Sequence, residues 1–470
     1  MTTYEDALAA PQPRRASART RRPRELAVGV VFWGIALGVF AFWFFVWAEG
    51  GEAGFTWHGT ANVLQSLGRI TALQSGYLAL IEVLLLARLP FLERLIGFDR
   101  LTVWHRWNGH AVLYLVLAHV ILSVWGYAIV DSGFGTHVSF GDEYWSFMTT
   151  GIYPGIIIAT IGTVMLMVVL VSSLVIARRH LNYELWYAVH FTAYAAIALA
   201  YFHEIPAGNE LVHNRFQAAN VWKAASLATL VLVVWYRLLW PIIQNWRFRL
   251  RVTEVREEAP GVWSLRISGR GLERYGARAG QFFLWRFLAK GFWYTQHPFS
   301  LSEAPHGDSF RITVKALGDH TAKFGRLEAG TRVFAEGPFG VFTSDTRSRP
   351  KVLLIAGGIG ITPVRALLEE FRGDVVTVYR ALTTRDLVLS DEIDRLVQQN
   401  GGRVEYVVGD HATPEGQRLL TPEHLKEIVP DVAEREIYAC GPPAMLELIE
   451  RTLRRSGLHG RHVHIERFAI

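Results

Sequence analysis

The chain has 470 residues, of which 51% are hydrophobic and 19% charged, and it includes 16 tryptophans and 27 phenylalanines. This composition is typical of a protein that lies partly in lipid, and the length allows about three domains. The one cysteine, Cys440, excludes an intrachain disulfide and a four-cysteine iron–sulfur or zinc site supplied by this chain alone.

The formal net charge is +6, and the segment RRASARTRRPR supplies six arginines just before an apolar run. A basic segment in this position favours the cytoplasmic face of a membrane over nucleic acid as its partner. No small-residue cleavage site follows the first apolar run, so we expect a retained anchor and not a signal peptide. Residues 1–25 are therefore predicted to be a basic cytoplasmic tail.

Six apolar runs of about membrane-spanning length follow this tail. After residue 246 the apolar stretches are only as long as strands. We therefore predict a six-helix transmembrane bundle at residues 26–246, with a soluble part after it. The runs lie at about 26–48, 63–87, 107–130, 153–177, 185–203 and 219–243.

The charges of the loops predict the orientation of the bundle. Segments 49–62 and 131–152 contain no lysine or arginine, whereas Arg88, Arg94 and Arg100 lie in the second loop. By the positive-inside rule we expect both termini on the cytoplasmic side of a plasma (inner) membrane that the chain crosses several times.

Four histidines form two pairs within the apolar runs. His105 and His119 are 14 residues apart on the third run, and His190 and His203 are 13 residues apart on the fifth. Both runs cross in the same direction, so each pair places one histidine at an inner and one at an outer depth. At 1.5 Å per residue the two depths are roughly 20 Å apart, enough for two porphyrins. Because facing imidazoles can hold a haem in a bundle, we predict that these four residues are metal ligands.

Helical geometry tests the histidines of the third run. At about 100° per residue, His119 returns to within roughly 40° of His105, whereas His110 lies about 140° away. We therefore predict that His110 is a packing or hydrogen-bonding residue and not an axial ligand.

The fifth run fits this geometry less well. His203 lies about 140° from His190 on an ideal helix, so ligation by both requires a distorted last turn. Pro206 offers a reason for such a distortion, because proline is predicted to close the helix just past His203. The alternative is that each histidine is a hydrogen-bonded structural residue, but four histidines at matched depths favour haem.

The soluble part divides into two predicted domains. Residues 247–346 contain short alternating strands separated by glycine and proline, which predicts a small antiparallel β-barrel. The strings QHPFSLS (296–302) and VKALGDHT (314–321) lie within it. Residues 347–470 alternate strands with helical patterns, which predicts an α/β domain with a parallel sheet.

Two turns follow strands of the predicted parallel sheet. GGIGITP, residues 357–363, offers side-chain-free positions at which the backbone can approach a pyrophosphate in front of a helix N-terminus. Pro363 suits the first position of that helix. Taken alone, the glycine run could equally be a tight turn. The second turn, YACGPPAM (438–445), is expected at the same edge of the sheet, where ligands of open α/β sheets bind.

In this order, the HPFS, GGIGITP and CGPPAM strings resemble the ferredoxin–NADP reductase type of flavin dehydrogenase. The six-run part with its paired histidines resembles the ferric reductase and NADPH oxidase superfamily. The resemblance covers about residues 26–470 and implies an FAD-binding barrel at 247–346, an NADPH-binding domain at 347–470 and two b-type haems.

The resemblance also implies roles for individual residues. The implied FAD contacts are His297, Pro298, Phe299, Ser300, Thr313, Lys315, Gly318 and Thr321. The implied nucleotide contacts are Gly357, Gly358, Gly360, Thr362, Pro363, Gly441 and Pro442, together with Arg380 at a 2′-phosphate, whose charge a guanidinium matches. The implied catalytic residues are Cys440 beside the nicotinamide and Phe468 over the flavin, although Ala469 and Ile470 follow Phe468 here.

The activity expected from this resemblance is transmembrane electron transfer from cytosolic NADPH through FAD and two haems. The acceptor on the outer face is either O2, as in a superoxide-producing oxidase, or a ferric chelate, and a quinone or protein acceptor stays open. The main alternative is a haem-free, membrane-anchored NAD(P)H:flavin reductase or a docking module for a redox partner. A transporter is disfavoured, because the sequence shows no inverted repeat.

Overall fold

The computed structural model describes most of the chain, in two compact units that divide at residue 240. The first unit contains the apolar helices and the second contains the strands. The described residues are 37–38, 40–45, 47–48, 59–132, 138–151, 155–174, 183–207, 217–410, 413, 416, 421–455, 458 and 462–467.

In the described part of the chain the first unit contains seven helices, and helical residues at 37–38, 40–45 and 47–48 precede them. The seventh helix continues through a π-helical segment, Val234–Leu239, into α8. The helices are α1 (Thr60–Leu85), α2 (Pro90–Ile96), α3 (Phe98–Ser132), α4 (Phe140–Thr149), α5 (Ile156–Ser173), α6 (Tyr183–Ala207), α7 (Ala218–Val233) and α8 (Trp240–Phe248).

Four stretches of the described helices are long and apolar enough to cross a membrane, and they correspond to the third to sixth predicted runs. The second run is helix α1, which carries polar residues such as Arg69 and Glu82 among its apolar ones. Most of the first run lies outside the described residues. The count of six spans therefore stays a prediction. The stretches are Arg100–Ser132, Ile156–Ser173, Leu185–Pro206 and Ala218–Phe248.

The boundaries of the third run were wrong, because helix α3 begins at Phe98 and not near residue 107. Arg100 and Arg106 lie in its first turns, where charged side chains lower the hydropathy without ending a helix. His105 consequently lies inside a regular helix, which fixes its direction relative to His119.

Small residues bring the membrane helices close together. An ideal Cβ on Gly68 of α1 would lie 2.5 Å from Ser123 Oγ of α3, and one on Gly126 would lie 3.0 Å from the backbone nitrogen of Gln65. Close backbone approach at glycine is the usual way in which transmembrane helices pack. These crossings fix which α1 groups face the histidines of α3.

After helix α8, the second unit continues with two three-stranded antiparallel sheets, with strand orders β1-β2-β5 and β4-β3-β6. Single bridges connect β1 to the β6 edge, at Arg251 and Arg332, and the end of β4 to β5, at Leu301 and Ile312. Large apolar side chains such as Trp285 fill the space between the sheets. The antiparallel prediction is confirmed, and closure of these strands into a barrel stays a prediction. The strands are β1 (Arg251–Ala259), β2 (Val262–Ser268), β3 (Phe282–Phe287), β4 (His297–Ser300), β5 (Ser309–Lys315) and β6 (Val333–Phe339).

The remainder of the unit confirms the predicted parallel sheet, whose five strands have the order β11-β10-β7-β8-β9. Its first strand, β7, is fully buried and lies in the middle, so the chain adds strands first on one side and then on the other. The elements are β7 (Val352–Gly357), α9 (Ile361–Glu370), β8 (Val375–Ala381), α10 (Ser390–Asn400), β9 (Arg403–Val408), α11 (Pro422–Ile428), β10 (Glu436–Gly441), α12 (Pro443–Arg455) and β11 (Val463–Arg467).

Candidate functional site

The inner histidines face each other across the bundle. The ring centroids of His105 on α3 and His190 on α6 are 5.9 Å apart, with an angle of 64° between the ring planes. His190 also stacks on Trp186, one turn earlier on its own helix, at 5.0 Å. The structure therefore brings these two predicted ligands together.

The outer histidines also lie near each other. His119 on α3 and His203 on α6 interact electrostatically. His203 lies against the N-terminus of α5, where an ideal Cβ on Gly155 would be 3.2 Å from its Cα. The structure thus groups the four predicted ligands in two pairs on the same two helices.

Each of three histidine rings is anchored through its Nδ1 atom. Nδ1 of His105 lies 2.8 Å from Glu82 Oε1, and that of His119 lies 2.9 Å from the Gly68 carbonyl oxygen. Nδ1 of His190 lies 3.4 Å from Ser173 Oγ. A carboxylate or a carbonyl can only accept, so Nδ1 carries the proton in His105 and His119, and Nε2 keeps its lone pair. Histidines that bind a metal are held in this way.

The spacing of the inner pair fits the two axial sites of a haem. Two metal–imidazole bonds of about 2 Å and two ring radii of about 1 Å span roughly 6 Å, which the 5.9 Å between His105 and His190 matches. Among the described residues, no group of three or more His, Cys, Asp or Glu could hold a metal ion unaided.

Two details of the histidine helices bear on the predictions. His110 Nδ1 lies 2.6 Å from the carbonyl oxygen of Arg106 on the same helix, which confirms the predicted hydrogen-bonding role. The prediction that Pro206 closes the helix is wrong, because α6 continues to Ala207. Proline removes one backbone donor, and near a helix end the carbonyl it leaves, Phe202 O, can face the neighbouring Gly155 instead.

The nucleotide turns meet at the carboxyl ends of β7 and β10, where the strand order reverses. An ideal Cβ on Gly360 would lie 2.6 Å from the carbonyl carbon of Cys440 and 2.7 Å from Gly441 Cα. An ideal Cβ on Gly357 would lie 2.6 Å from Met445 Cε, and Gly358 has a φ of +51°. The two loops can be this close only without side chains, and such a crevice is where open α/β sheets bind ligands.

The helix behind the first turn begins two residues earlier than expected. Gly360 is its N-cap and Ile361 its first residue, so Pro363 occupies the third position and not the first. Proline is tolerated there because the first four N–H groups of a helix lack partners within it. Thr362 is buried and donates from Oγ1 to the Ile359 carbonyl at 3.1 Å, which holds the turn in shape.

The second turn contains the predicted catalytic cysteine. Cys440 is fully buried in β10, next to Ala356 of β7. Burial, helped by the charge of Glu466, raises the pKa of its thiol far above the usual value. The thiol is therefore neutral and unreactive at physiological pH. Pro442 follows this strand, and Phe468, the other predicted catalytic residue, lies outside the described residues.

The predicted flavin string forms strand β4, which pairs with β3. The rings of His297 and Phe299 are stacked with centroids 5.8 Å apart, and the Phe299 carbonyl accepts from Trp285 Nε1 at 3.0 Å. Pro298, the residue between them in the sequence, pairs with Leu284 of β3. Ser300 is 3% exposed, and its hydroxyl has no hydrogen-bond partner within the described part of the chain. A buried, unsatisfied hydroxyl is rare and fits a site where a ligand supplies the partner.

The other predicted flavin residues differ in their surroundings. Gly318 donates its N–H to Thr321 Oγ1 at 3.2 Å, so the predicted turn is present. Thr313 is buried, and its hydroxyl donates to Ser302 Oγ at 2.9 Å. Lys315 lies at the end of β5 with Nζ 3.3 Å from Asp386 Oδ1. The structure thus places Gly318 and Thr321 in an exposed turn, but the hydroxyl of Thr313 in an internal network.

Arg380 is half-buried near the end of β8, the position on the second strand of the parallel sheet at which the sequence predicted it. Its guanidinium donates to the carbonyls of Ala381 and Val407, the latter at 3.3 Å. Burial lowers the pKa of Arg380, and the charge of Asp410 counteracts this effect.

Sequence reasoning missed a buried ion network that links the two halves of the second unit. Arg311 of β5 donates to both carboxylate oxygens of Glu392 on α10, at 2.9 and 2.8 Å. Arg365 Nε of α9 donates to the same carboxylate at 2.8 Å. Burial alone would raise the pKa of Glu392, but the two arginines lower it to about 2. These residues are 27 to 81 positions apart, so no local pattern could have identified them.

A membrane unit with paired histidines and a soluble unit with a nucleotide crevice together define a transmembrane oxidoreductase. Residues 71–201 match the family model of the ferric reductase like transmembrane component, and residues 354–451 match that of the oxidoreductase NAD-binding domain. The chain is therefore a fusion of these two components, as in the ferric reductase and NADPH oxidase superfamily. The resemblance inferred from the sequence is confirmed.

Several curated proteins are similar in sequence to part of this chain. The glycine betaine monooxygenase reductase subunit of Chromohalobacter salexigens is 29% identical over 174 residues, which cover 34% of this chain and 47% of that protein. The NADH oxidoreductase HCR of Escherichia coli is 25% identical over 224 residues, 45% of this chain and 65% of that protein. An NADPH oxidoreductase of Mycobacterium tuberculosis is 28% identical over 241 residues, 49% and 62% of the two chains. The chain thus spans about half to two thirds of the length of these relatives.

Proposed function

We propose that this protein transfers electrons from cytosolic NADPH across the membrane to an acceptor on the outer face, with FAD and two b-type haems as its cofactors. The facing rings of His105 and His190, 5.9 Å apart with their Nδ1 atoms anchored, carry this proposal. A chain that needed only a membrane anchor would have no use for imidazoles at this spacing in lipid.

The residues of the bundle would act as axial ligands. His105 and His190 would hold the inner haem, and His119 and His203 the outer haem, with roughly 20 Å between the two depths. When bound, FAD accepts a hydride and releases electrons singly, which haem iron carries one at a time. The side chains orient their ligands and exclude water, and none of them has to act as a nucleophile.

The soluble unit would supply the electrons. The glycine crevice between β7 and β10 would admit the pyrophosphate of NADPH, and Arg380 would favour NADPH over NADH through its charge. The hydroxyl of Ser300 and the turn of Gly318 and Thr321 would contact FAD at the predicted barrel. Cys440 would shape the nicotinamide end of the crevice as a neutral, packed side chain, and Phe468 would cover the flavin.

Two acceptors remain in the proposal, O2 and a ferric chelate. Both can accept one electron at a time, which is how a haem at the outer level would supply them. The positive-inside pattern supports an orientation with the nucleotide domain and both termini in the cytoplasm and the acceptor on the other side of the plasma (inner) membrane.

Vectorial transfer can be tested with the purified full chain in proteoliposomes. NADPH is added outside, and either a ferric chelate or cytochrome c is enclosed inside, the latter with and without superoxide dismutase. Reduction of an enclosed acceptor supports the proposal for molecules whose soluble unit faces outward, and sensitivity to the dismutase identifies O2 as the acceptor. Reduction confined to acceptors on the NADPH side would instead identify a haem-free flavin reductase.

A further inference from the structure

A carboxylate lies against the inner histidine of α3. Glu82 on α1 places Oε1 2.8 Å from His105 Nδ1, and its backbone carbonyl oxygen is 3.4 Å from the same atom. The side chain of Glu82 is only 15% exposed and that of His105 only 23%. An acidic side chain inside a membrane bundle is costly unless it has a defined task.

The surroundings of Glu82 hold its carboxylate in this position. Its second oxygen accepts from Asn108 Nδ2 at 2.8 Å, and the same amide also donates to the Leu78 carbonyl at 2.8 Å. Gly109 makes room for the carboxylate, since an ideal Cβ there would lie 2.8 Å from Glu82 Oε1. The carboxylate is thus oriented toward the ring from two sides, by a hydrogen-bond donor and by a missing side chain.

The outer histidine of the same helix has a different acceptor. His119 Nδ1 lies 2.9 Å from a neutral backbone carbonyl, that of Gly68, and 3.3 Å from Ser123 Oγ. The two ligands of α3 therefore differ in one respect that matters electronically: the inner ring donates to a negative charge and the outer ring to a neutral dipole.

We propose that Glu82 is a positioning residue that lowers the reduction potential of the inner haem relative to the outer one and so directs electrons outward. The inference rests on the proposed function, because it requires both haems. A charged acceptor on Nδ1 makes the imidazole a stronger donor and stabilises the more positive, oxidised iron. Electrons move toward the higher potential, which this asymmetry places at the outer level.

The test is a spectroelectrochemical titration of the haems in the purified full chain. Glu82→Gln keeps the shape of the side chain and removes its charge. We expect about a tenfold rise in the ratio of reduced to oxidised inner haem at a fixed potential, equal to a shift of about 59 mV for one electron. The higher-potential haem is expected to keep its potential. Ser123→Ala is the matched control, since it changes a neutral contact of the outer ligand and should leave the lower-potential haem unchanged.

Glu82→Asp provides the second variant, because it retains the charge. It should keep two haems and a potential difference close to that of the unmodified chain, even if Glu82→Gln fails to assemble. Unchanged potentials in Glu82→Gln, or the same shift in both Glu82 variants, would overturn the inference while leaving the proposed function intact. Absence of two haems from the unmodified chain would instead refute the proposed function.

Discussion

Replacing Gly360 by alanine tests the nucleotide crevice most directly. The new Cβ would lie 2.6 Å from the Cys440 carbonyl carbon and 2.7 Å from Gly441 Cα, which are backbone atoms of a buried strand. Neither can rotate away, so the two turns must separate. Overpacking of this kind costs about 1–3 kcal/mol. If the whole cost falls on nucleotide binding, affinity decreases by about 5- to 150-fold.

Two further glycines calibrate the effect of this substitution. Gly357→Ala would place its Cβ against the flexible end of Met445, so we expect a smaller loss of affinity. Gly141→Ala has only an ordinary contact, 3.8 Å from Ser139 Oγ, and should bind nucleotide normally. The dissociation constant of NADP+ is measured by isothermal titration calorimetry on the full chain, with the FAD content determined in parallel. Equal affinity in Gly360→Ala and the unmodified chain, at equal FAD content, would refute the crevice as the binding site.

Three other changes have defined outcomes. His119→Ala should lose one of two haems by pyridine haemochrome analysis whereas His110→Ala keeps both, and retention of both haems in His119→Ala would exclude it as a ligand. The pKa of Glu392 is about 2 in the folded chain and 4.5 in a model peptide, so its contribution to stability is fully present above about pH 4.5 and decreases as the pH falls toward 2. Arg311→Met should make the thermal unfolding temperature decrease less steeply on the acid side. A pH profile of unfolding identical to that of the unmodified chain would contradict this prediction. Cys440, whose burial raises the pKa of its thiol, should react with iodoacetamide at neutral pH only after denaturation, and rapid labelling of the native chain would show that it is accessible.

The sequence was most informative where function depends on spacing along one element. The 14-residue interval placed His105 and His119 on one face of α3, and the same reasoning set His110 apart. Glycine strings likewise located the crevice, because close backbone approach requires residues without a side chain.

The contacts that the sequence did not predict depend on the tertiary structure. Glu82 is visible in the sequence as an acid within an apolar run, but its contact with His105 depends on how α1 crosses α3 at Gly68 and Gly126. The Arg311–Glu392 pair joins two domains across 81 positions. The observed helix boundaries also differ from the predicted ones, because hydropathy indicates which residues prefer lipid and not where backbone hydrogen bonding begins.

The central claim is that imidazole pairs hold two haems that NADPH can reduce. The most direct measurement is the absorbance spectrum of the purified full chain, with its haem content per polypeptide, before and after NADPH is added without oxygen. We predict two haems per chain and a Soret band that shifts to the reduced form on addition of NADPH. A preparation made with ample haem supply that shows FAD but no Soret band would contradict the account.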